Sequence, residues 1–246
     1  MTNLSVNLNK VALLRNSRNL EIPNVIDAAN TCIKAGAHGI TVHPRPDQRH
    51  IKLSDVFALA EVLTVEFNIE GNPFPEFMDT IRKVKPTQCT LVPDSPDAFT
   101  SDRGWDLRAD GDRLIPIIQE LKDLGVRVSL FMDCDLAQIE RAKAIGADRI
   151  ELYTEPYATA FRLNNVESVF QQYALAAQKA QEIGLGVNAG HDLNLYNLGK
   201  FCSIPGILEV SIGHALVADA LEIGLFTTVK QYLKALSHKN RVLLDN

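Results

Sequence analysis

Residues 124–152 read LGVRVSLFMDCDLAQIERAKAIGADRIEL. Val126–Phe131 is rich in β-branched and aromatic residues and reads as a strand. Leu136 to Ile145 carries a helical pattern, Gly146 stops it, and Arg149–Leu152 starts another strand. A helix between two strands returns the chain to its starting edge, so the strands lie parallel. Both helix-to-strand junctions in this stretch place Gly where a helix closes in a left-handed cap, at Leu124-Gly125-Val126 and Ile145-Gly146-Ala147.

Working outward, the same punctuation recurs at Ala35-Gly36-Ala37 and Ile183-Gly184-Leu185. The remaining strands are expected at Leu4–Leu8, Gly39–His43, Phe67–Glu70, Gln88–Val92, Gly186–Ala189 and Leu208–Ile212. Helices are expected at Asn24–Ala35 with Asn24 as N-cap, Leu53–Val65, Phe74–Val84, Asp110–Leu124, Val166–Ile183 and a last region from His214 to Ser237. Pro116 is expected to perturb the fourth of the chain's helices. Eight strands in 246 residues leave about 31 residues per strand–helix unit. This favours an α/β fold, a closed (β/α)8 TIM barrel, as a single domain over 1–246. No Gly-x-Gly-x-x-Gly follows the first strand, which argues against a dinucleotide-binding sheet.

Hydrophobic residues make up 46% and charged residues 22%, which excludes wholesale disorder. A net charge of -5 provides no global basic field, so nucleic acid is not an expected partner. No apolar run approaches the roughly 18 residues of a membrane span. The start, Met1–Asn7, lacks a basic segment followed by an apolar one, so a cytoplasmic protein is expected. Cys32, Cys89, Cys134 and Cys202 are too far apart for a Cys-x-x-Cys pair and read as small buried hydrophobes.

In such a barrel, chemistry gathers at the C-terminal ends of the strands. The polar residues there are Asn7, then Asn9 and Lys10; His43 and Arg45; Glu70; Thr100 and Ser101; Asp133; Glu151 and Thr154; Asn188 and His191; and Gly213 with His214. His43, Glu70 and His191 come from distant stretches and would face one cavity. They suit a reaction with several proton transfers near neutral pH. No Ser or Cys nucleophile sits on a sharp strand–helix elbow. Zinc is the competing explanation, but neither His-x-His nor His-Glu-x-x-His spacing occurs, and no metal is expected. Ile212-Gly213-His214-Ala215 opens a helix after the last strand, where free N–H groups favour an anion. Arg15 with Arg18, and Arg45 with Arg49 and His50, form two basic clusters, suggesting room for two phosphorylated substrates.

Residues 9–18, 39–51, 67–70, 128–133, 187–191 and 212–215 resemble, in order, the pyridoxine 5'-phosphate synthase family, the PdxJ family. The most specific signals are His43-x-Arg45 with Arg49-His50, and the later Asn-Ala-Gly-His at 188–191. The resemblance implies a barrel with extra helices assembled into a homo-octamer. It implies condensation of 1-deoxy-D-xylulose 5-phosphate with 3-amino-2-oxopropyl phosphate, giving pyridoxine 5'-phosphate, phosphate and water, with no metal or organic cofactor. His43 and Glu70 match the family's proton acceptors and His191 its proton donor. Arg45, His50 and Thr100 match positions that hold the deoxyxylulose phosphate. Asn7, Arg18, Gly213 and His214 match those that hold the aminoketone phosphate.

Two places depart from the family. Asn9-Lys10 stands where Asp-His is usual, at positions that contact the deoxyxylulose phosphate, and Asp192 stands where Gly is usual. The first change shifts local charge by about +2 when the replaced imidazole is neutral. A carboxylate at 192 would repel a nearby phosphate unless it points away or pairs with a base such as Lys10. Two other classes stay open on the residues alone. One is a non-catalytic relative that binds pyridoxine phosphate or sugar phosphates. The other is a different sugar-phosphate isomerase or aldolase, with Lys10 as the Schiff-base candidate. The segment 93–108 is the expected lid.

Overall fold

The structure, a computed structural model, describes residues 1–18, 20–95 and 100–237. The order is β1 (Asn3–Asn7), α1 (Asn9–Asn16), α2 (Val25–Ala35), β2 (Gly39–Val42), α3 (Leu53–Val62), β3 (Glu66–Gly71), α4 (Pro75–Val84), β4 (Gln88–Leu91), α5 (Leu107–Asp123) and β5 (Arg127–Met132). It continues with α6 (Leu136–Ala144), β6 (Arg149–Tyr153), α7 (Glu155–Arg162), α8 (Val166–Glu182), β7 (Gly186–Gly190), α9 (Leu198–Phe201), β8 (Ile207–Ile212), α10 (His214–Ile223) and α11 (Leu225–Ser237). The strands pair in parallel in sequence order, and β1 pairs with β8 to close the barrel. The fold is a (β/α)8 TIM barrel with extra helices.

One device ends the helix before β2, β5, β6 and β7. At Gly36 the amide donates to Ile33 O (2.9 Å) and that of Ala37 to Cys32 O (3.0 Å). The same pair of bonds forms at Gly125, Gly146 and Gly184. These are Schellman caps, and each needs the positive φ that glycine adopts without strain; the four angles run from 78° to 103°. At the other end of α2, the Asn24 side chain accepts from the amides of Ile26 (2.8 Å) and Asp27 (3.1 Å), as its N-cap position requires.

Three helices lie outside the expected pattern: α1, α7 and α9. α1 begins without a side-chain cap, so its start carries no local signal, and Asn9-Lys10 lies on its first turn instead of in a loop. The final helical region is two helices, because Gly224 (φ 81°, ψ 145°) breaks it into α10 and α11. α5 starts earlier than expected, with Asp106 capping the Arg108 amide (3.2 Å), and runs unbroken through Pro116.

Alternation along the strands divides the molecule. Leu4 and Val6, Phe67 and Ile69, Cys89 and Leu91, Ile150 and Leu152, and Val210 and Ile212 are buried against the helix ring. The side chains between them meet inside the barrel and are mostly polar. Ser5, Thr41, Asn68, Gln88, Thr90, Ser129, Glu151, Asn188 and Glu209 are all buried. The hydrophobic core is thus the shell between sheet and helices, while the barrel's centre is a hydrogen-bonded polar column. Among the described residues no helix is long and apolar enough to cross a membrane.

Candidate active site

The column opens at the C-terminal end of the barrel into a cavity of about 550 Å³. Asn7, Asn9, Lys10, His43, Arg45, His50, Glu70, Thr100, His191, Asp192, Gly213 and His214 all line it. So do Arg49, Ser101, Glu151 and Ser211. The structure therefore brings together every expected site residue except Arg18. Arg18 is exposed in the turn after α1 and does not line the cavity.

Arg15, its expected companion, is a correction. It is buried, bonded to Asp55 through both Nη1 (2.5 Å) and Nη2 (2.9 Å), and Nη2 also donates to the His50 carbonyl (3.2 Å). Arg15 faces inward from α1 onto α3, three residues from Arg18. It clamps two elements instead of holding a substrate.

The strand ends set the geometry. Asn9 Oδ1 accepts from the His43 amide (2.9 Å), so it positions the residue that follows β2. The Asn9 amide donates to Asn7 Oδ1 (3.0 Å), which turns the Asn7 Nδ2 toward Glu70 Oε2 (3.4 Å). Gly213 packs closely on Asn7: a Cβ here would lie 3.1 Å from the Asn7 Cβ, a tight contact. Lys10 makes no hydrogen bond or ion pair among the described residues and lines the cavity. It carries no bond to Asp192, so the pairing considered for these two does not form.

Two imidazoles stand together on one wall, with ring centroids 6.2 Å apart. Burial, with Arg45 and Arg49 adding to it, pushes His43 down to about 3. Burial, then His43, Arg45 and Lys10, pushes His50 down to about 3. Both rings are neutral at physiological pH. His50 Nδ1 accepts from the Ile51 amide (2.9 Å), so its proton is on Nε2. Arg45 is bonded to Asp94 (2.8 Å), and Ser101 donates to the same carboxylate (2.7 Å), tying the loop after β4 to the wall.

The same cavity is lined by two carboxyls, Glu70, half-buried, and Glu151, buried. Burial comes first in pushing Glu70 well above the ordinary carboxylate range, with Glu151, Asp94 and Glu209 adding repulsion and Asn7 opposing. What remains of its exposed surface faces the cavity. Burial and then Glu209 raise Glu151 in the same way, against a bond from Thr90 Oγ1 (3.4 Å). Burial and like charge both favour the protonated carboxyl, the form that can donate. Glu151 was visible in the sequence as a polar strand-end residue, but nothing there showed that it meets Glu70.

His191 closes the third side. Its Nε2 is 3.1 Å from Thr100 Oγ1 and its Nδ1 is 2.7 Å from Asp192 Oδ2. Tyr153 meets the ring edge-on at 5.1 Å. Both His191 (φ 87°) and Asp192 (φ 60°) are in the left-handed region, where a non-glycine residue costs about 1–3 kcal/mol. Thr154 Oγ1 holds this bend by donating to the carbonyls of Gly190 (2.7 Å) and His191.

Other strand-end residues have structural duties. Asp133 accepts from the Gly104 amide (3.1 Å), and Asn188 belongs to the network lower in the barrel. No cluster of His, Cys, Asp or Glu suited to a metal ion occurs among the described residues. The four cysteines are free thiols. Of the expected lid, 93–108, residues 96–99 lie outside the described residues; beyond them Ser101 is bonded to Asp94, and Trp105 is buried with its Nε1 donating to the Leu91 carbonyl (2.8 Å).

Neutral imidazoles and carboxyls raised above their ordinary range, lining one cavity at the mouth of a closed parallel barrel, mark an enzyme of the (β/α)8 class suited to acid–base chemistry. The chain belongs to a particular family within it: the model of pyridoxal phosphate biosynthesis protein PdxJ matches residues 4–238. It is 53% identical over 246 residues to the pyridoxine 5'-phosphate synthase of Albidiferax ferrireducens, covering 96% of this chain and 98% of that one. It is 54% identical over 243 residues to that of Xanthomonas campestris pv. campestris, covering 94% and 95%. Solved structures share the fold at low identity. Tryptophan synthase subunit alpha from Legionella pneumophila matches with TM-score 0.64 at 11% identity, covering 96% of this chain and 93% of that one. Phosphoribosylanthranilate isomerase from Thermotoga maritima matches with TM-score 0.60 at 14% identity, covering 96% and 99%.

Proposed function

We propose that this protein is a pyridoxine 5'-phosphate synthase. It joins 1-deoxy-D-xylulose 5-phosphate to 3-amino-2-oxopropyl phosphate and releases phosphate and water. The observation that carries this reading is the gathering of His43, Glu70 and His191 around one cavity, in a chain with near full-length relatives of that name.

The chemistry follows from what each group can do. The amine attacks the deoxyxylulose carbonyl, and the carbinolamine loses water to give an imine. Glu70, whose proton affinity burial raises, protonates the departing hydroxyl and recovers a proton from nitrogen. His43 is neutral, so its free lone pair accepts protons from carbon during ring closure and aromatisation. His191 donates to the leaving oxygen. Arg45, the Nε2–H of His50 and Thr100 hold the sugar phosphate. Asn7, Gly213 and His214 hold the aminoketone phosphate, with the first amides of α10 offering donors to an anion; Arg18, outside the cavity, would have to swing in from the turn after α1 to join them. Lys10 lends a positive charge to the mouth.

The same likeness supports a homo-octamer of one-domain chains working in the cytoplasm without metal or organic cofactor. Incubating the purified protein with both substrates and following pyridoxine 5'-phosphate tests the reading. Tight binding without product would make it a binder instead. Borohydride trapping of a sugar phosphate on Lys10 would make it an aldolase-like enzyme.

A further inference from the structure

We infer that Asp192 is the positioning residue for His191: its carboxylate accepts a hydrogen bond from Nδ1–H and leaves Nε2 as the nitrogen that works in the cavity. The proposal rests on the reading above only for the task of His191, and not for the pairing.

The geometry carries it. Asp192 Oδ2 lies 2.7 Å from Nδ1, and an ionised carboxylate can only accept, so Nδ1 must bear the hydrogen. The pairing with His191 holds Asp192 below the ordinary carboxylate range, so it is ionised. In the neutral ring Nε2 is then an acceptor, and Thr100 Oγ1 at 3.1 Å is the hydroxyl that donates to it. The bond does not result from chance proximity. Adjacent residues of an extended chain point to opposite sides, and here two successive left-handed residues bring the carboxylate under its neighbour's ring. Glycine would adopt φ 60° at Asp192 most easily, so the side chain is held where backbone preference alone would favour none. The other charged and titratable groups facing the pair are Arg162 from α7, His214 from α10 and Tyr153 from β6, which itself faces Glu155, Asp102 and Asp133.

The departure at Asp192 therefore has a different meaning from a charge set against a phosphate. The carboxylate is occupied by His191. During turnover Nε2 takes a proton from one oxygen or carbon, the imidazolium is held by Asp192, and the same proton passes to the leaving oxygen. Proton and charge return to their starting places.

Solid-state 15N spectra of histidine-labelled protein, recorded in alkaline buffer so that the rings are neutral, read the tautomer directly. Subtracting the spectrum of His191→Gln assigns the signal. The expected result is Nδ1–H in the wild-type protein and in Asp192→Asn, which keeps an acceptor oxygen, with a shift to Nε2–H in Asp192→Leu. Turnover should fall by about 10–100-fold in Asp192→Leu, the cost of losing a supporting carboxylate behind a functional histidine. It should recover partly in Asp192→Asn, with both Michaelis constants unchanged throughout. Nε2–H in the wild-type protein, or a Leu variant with an unaltered spectrum, overturns the proposal. So does a Leu variant that changes only a Michaelis constant, because Asp192 would then be a substrate contact. If the wild-type protein is inert toward both substrates but shows the Nδ1–H signal, the proposed reaction fails and the pairing stands.

Discussion

At the N-terminal end of the barrel interior, every charge has an answering group. Arg127 pairs with Glu66 and donates to Gln88 (2.9 Å). Arg149 donates to Asn188 (3.1 Å), and Gln88 donates to Glu209 (3.2 Å). At the C-terminal end, Glu70 and Glu151 line one cavity and Glu151 adds repulsion at Glu70, and His43 and His50 are denied their protons by burial and nearby guanidinium groups. The two ends use the same residue types. Compensated charges give a polar column, while uncompensated ones shift proton affinities, upward for the carboxyls and downward for the imidazoles.

The sharpest way to break this contrast is Glu70→Gln. Turnover should fall by roughly 10²–10⁴-fold while the fold survives. The folded carboxyl titrates well above its ordinary value of 4.5. Below that pH it is protonated in both states. As pH rises past it, the unfolded chain ionises first, so the native protein loses stability. The thermal midpoint of Glu70→Gln should therefore exceed the wild-type midpoint by a margin that widens from acid toward neutral pH. A constant margin would mean that Glu70 is not held protonated.

Gly190→Ala probes the neighbouring carboxyl without touching it. An added Cβ would fall 2.3 Å from Glu151 Oε1, so the carboxylate must move. If the Glu70–Glu151 arrangement matters, steady-state turnover should drop by about 10-fold or more, a loss of roughly 1.4 kcal/mol or more in the barrier. The imidazole wall predicts an acid limb. His43 and His50 titrate near 3 in the folded chain against 6.5 in the unfolded one. Their contribution is full above 6.5 and is lost as pH falls toward 3. His50→Gln should flatten the decline of stability across that window in denaturant titrations.

Arg127→Met belongs to the compensated end. It should cost about 1–3 kcal/mol of unfolding free energy, because Glu66 and Gln88 lose a donor, and leave turnover intact. A large kinetic effect would show that the two ends are coupled. The smallest expected effect is that of Asn9→Asp on the scaffold. An aspartate oxygen can accept from the His43 amide as Asn9 does, so stability should hold. Paired with Lys10→His, it should raise the Michaelis constant for the sugar phosphate by removing positive charge. Unchanged kinetics would make that departure neutral.

Much of this molecule was already legible in the chain. The Gly-closed helices, the period-2 strands and the run of polar residues at strand ends are local signals. They arise from dihedral preferences and from which face of a strand meets the core, and they placed all eight strands and set His43, Glu70 and His191 around one cavity. Uncapped α1 was not legible, because no capping side chain marks its start; the break at Gly224 did carry a local glycine signal, but a second helix follows it instead of a strand. Nor was the diversion of Arg15 to Asp55, the meeting of Glu70 with Glu151, or the bend that brings Asp192 under His191. Those depend on barrel closure and strand register, which set distances between residues far apart in sequence, and on tertiary hydrogen bonds that hold the backbone where local preference would not leave it.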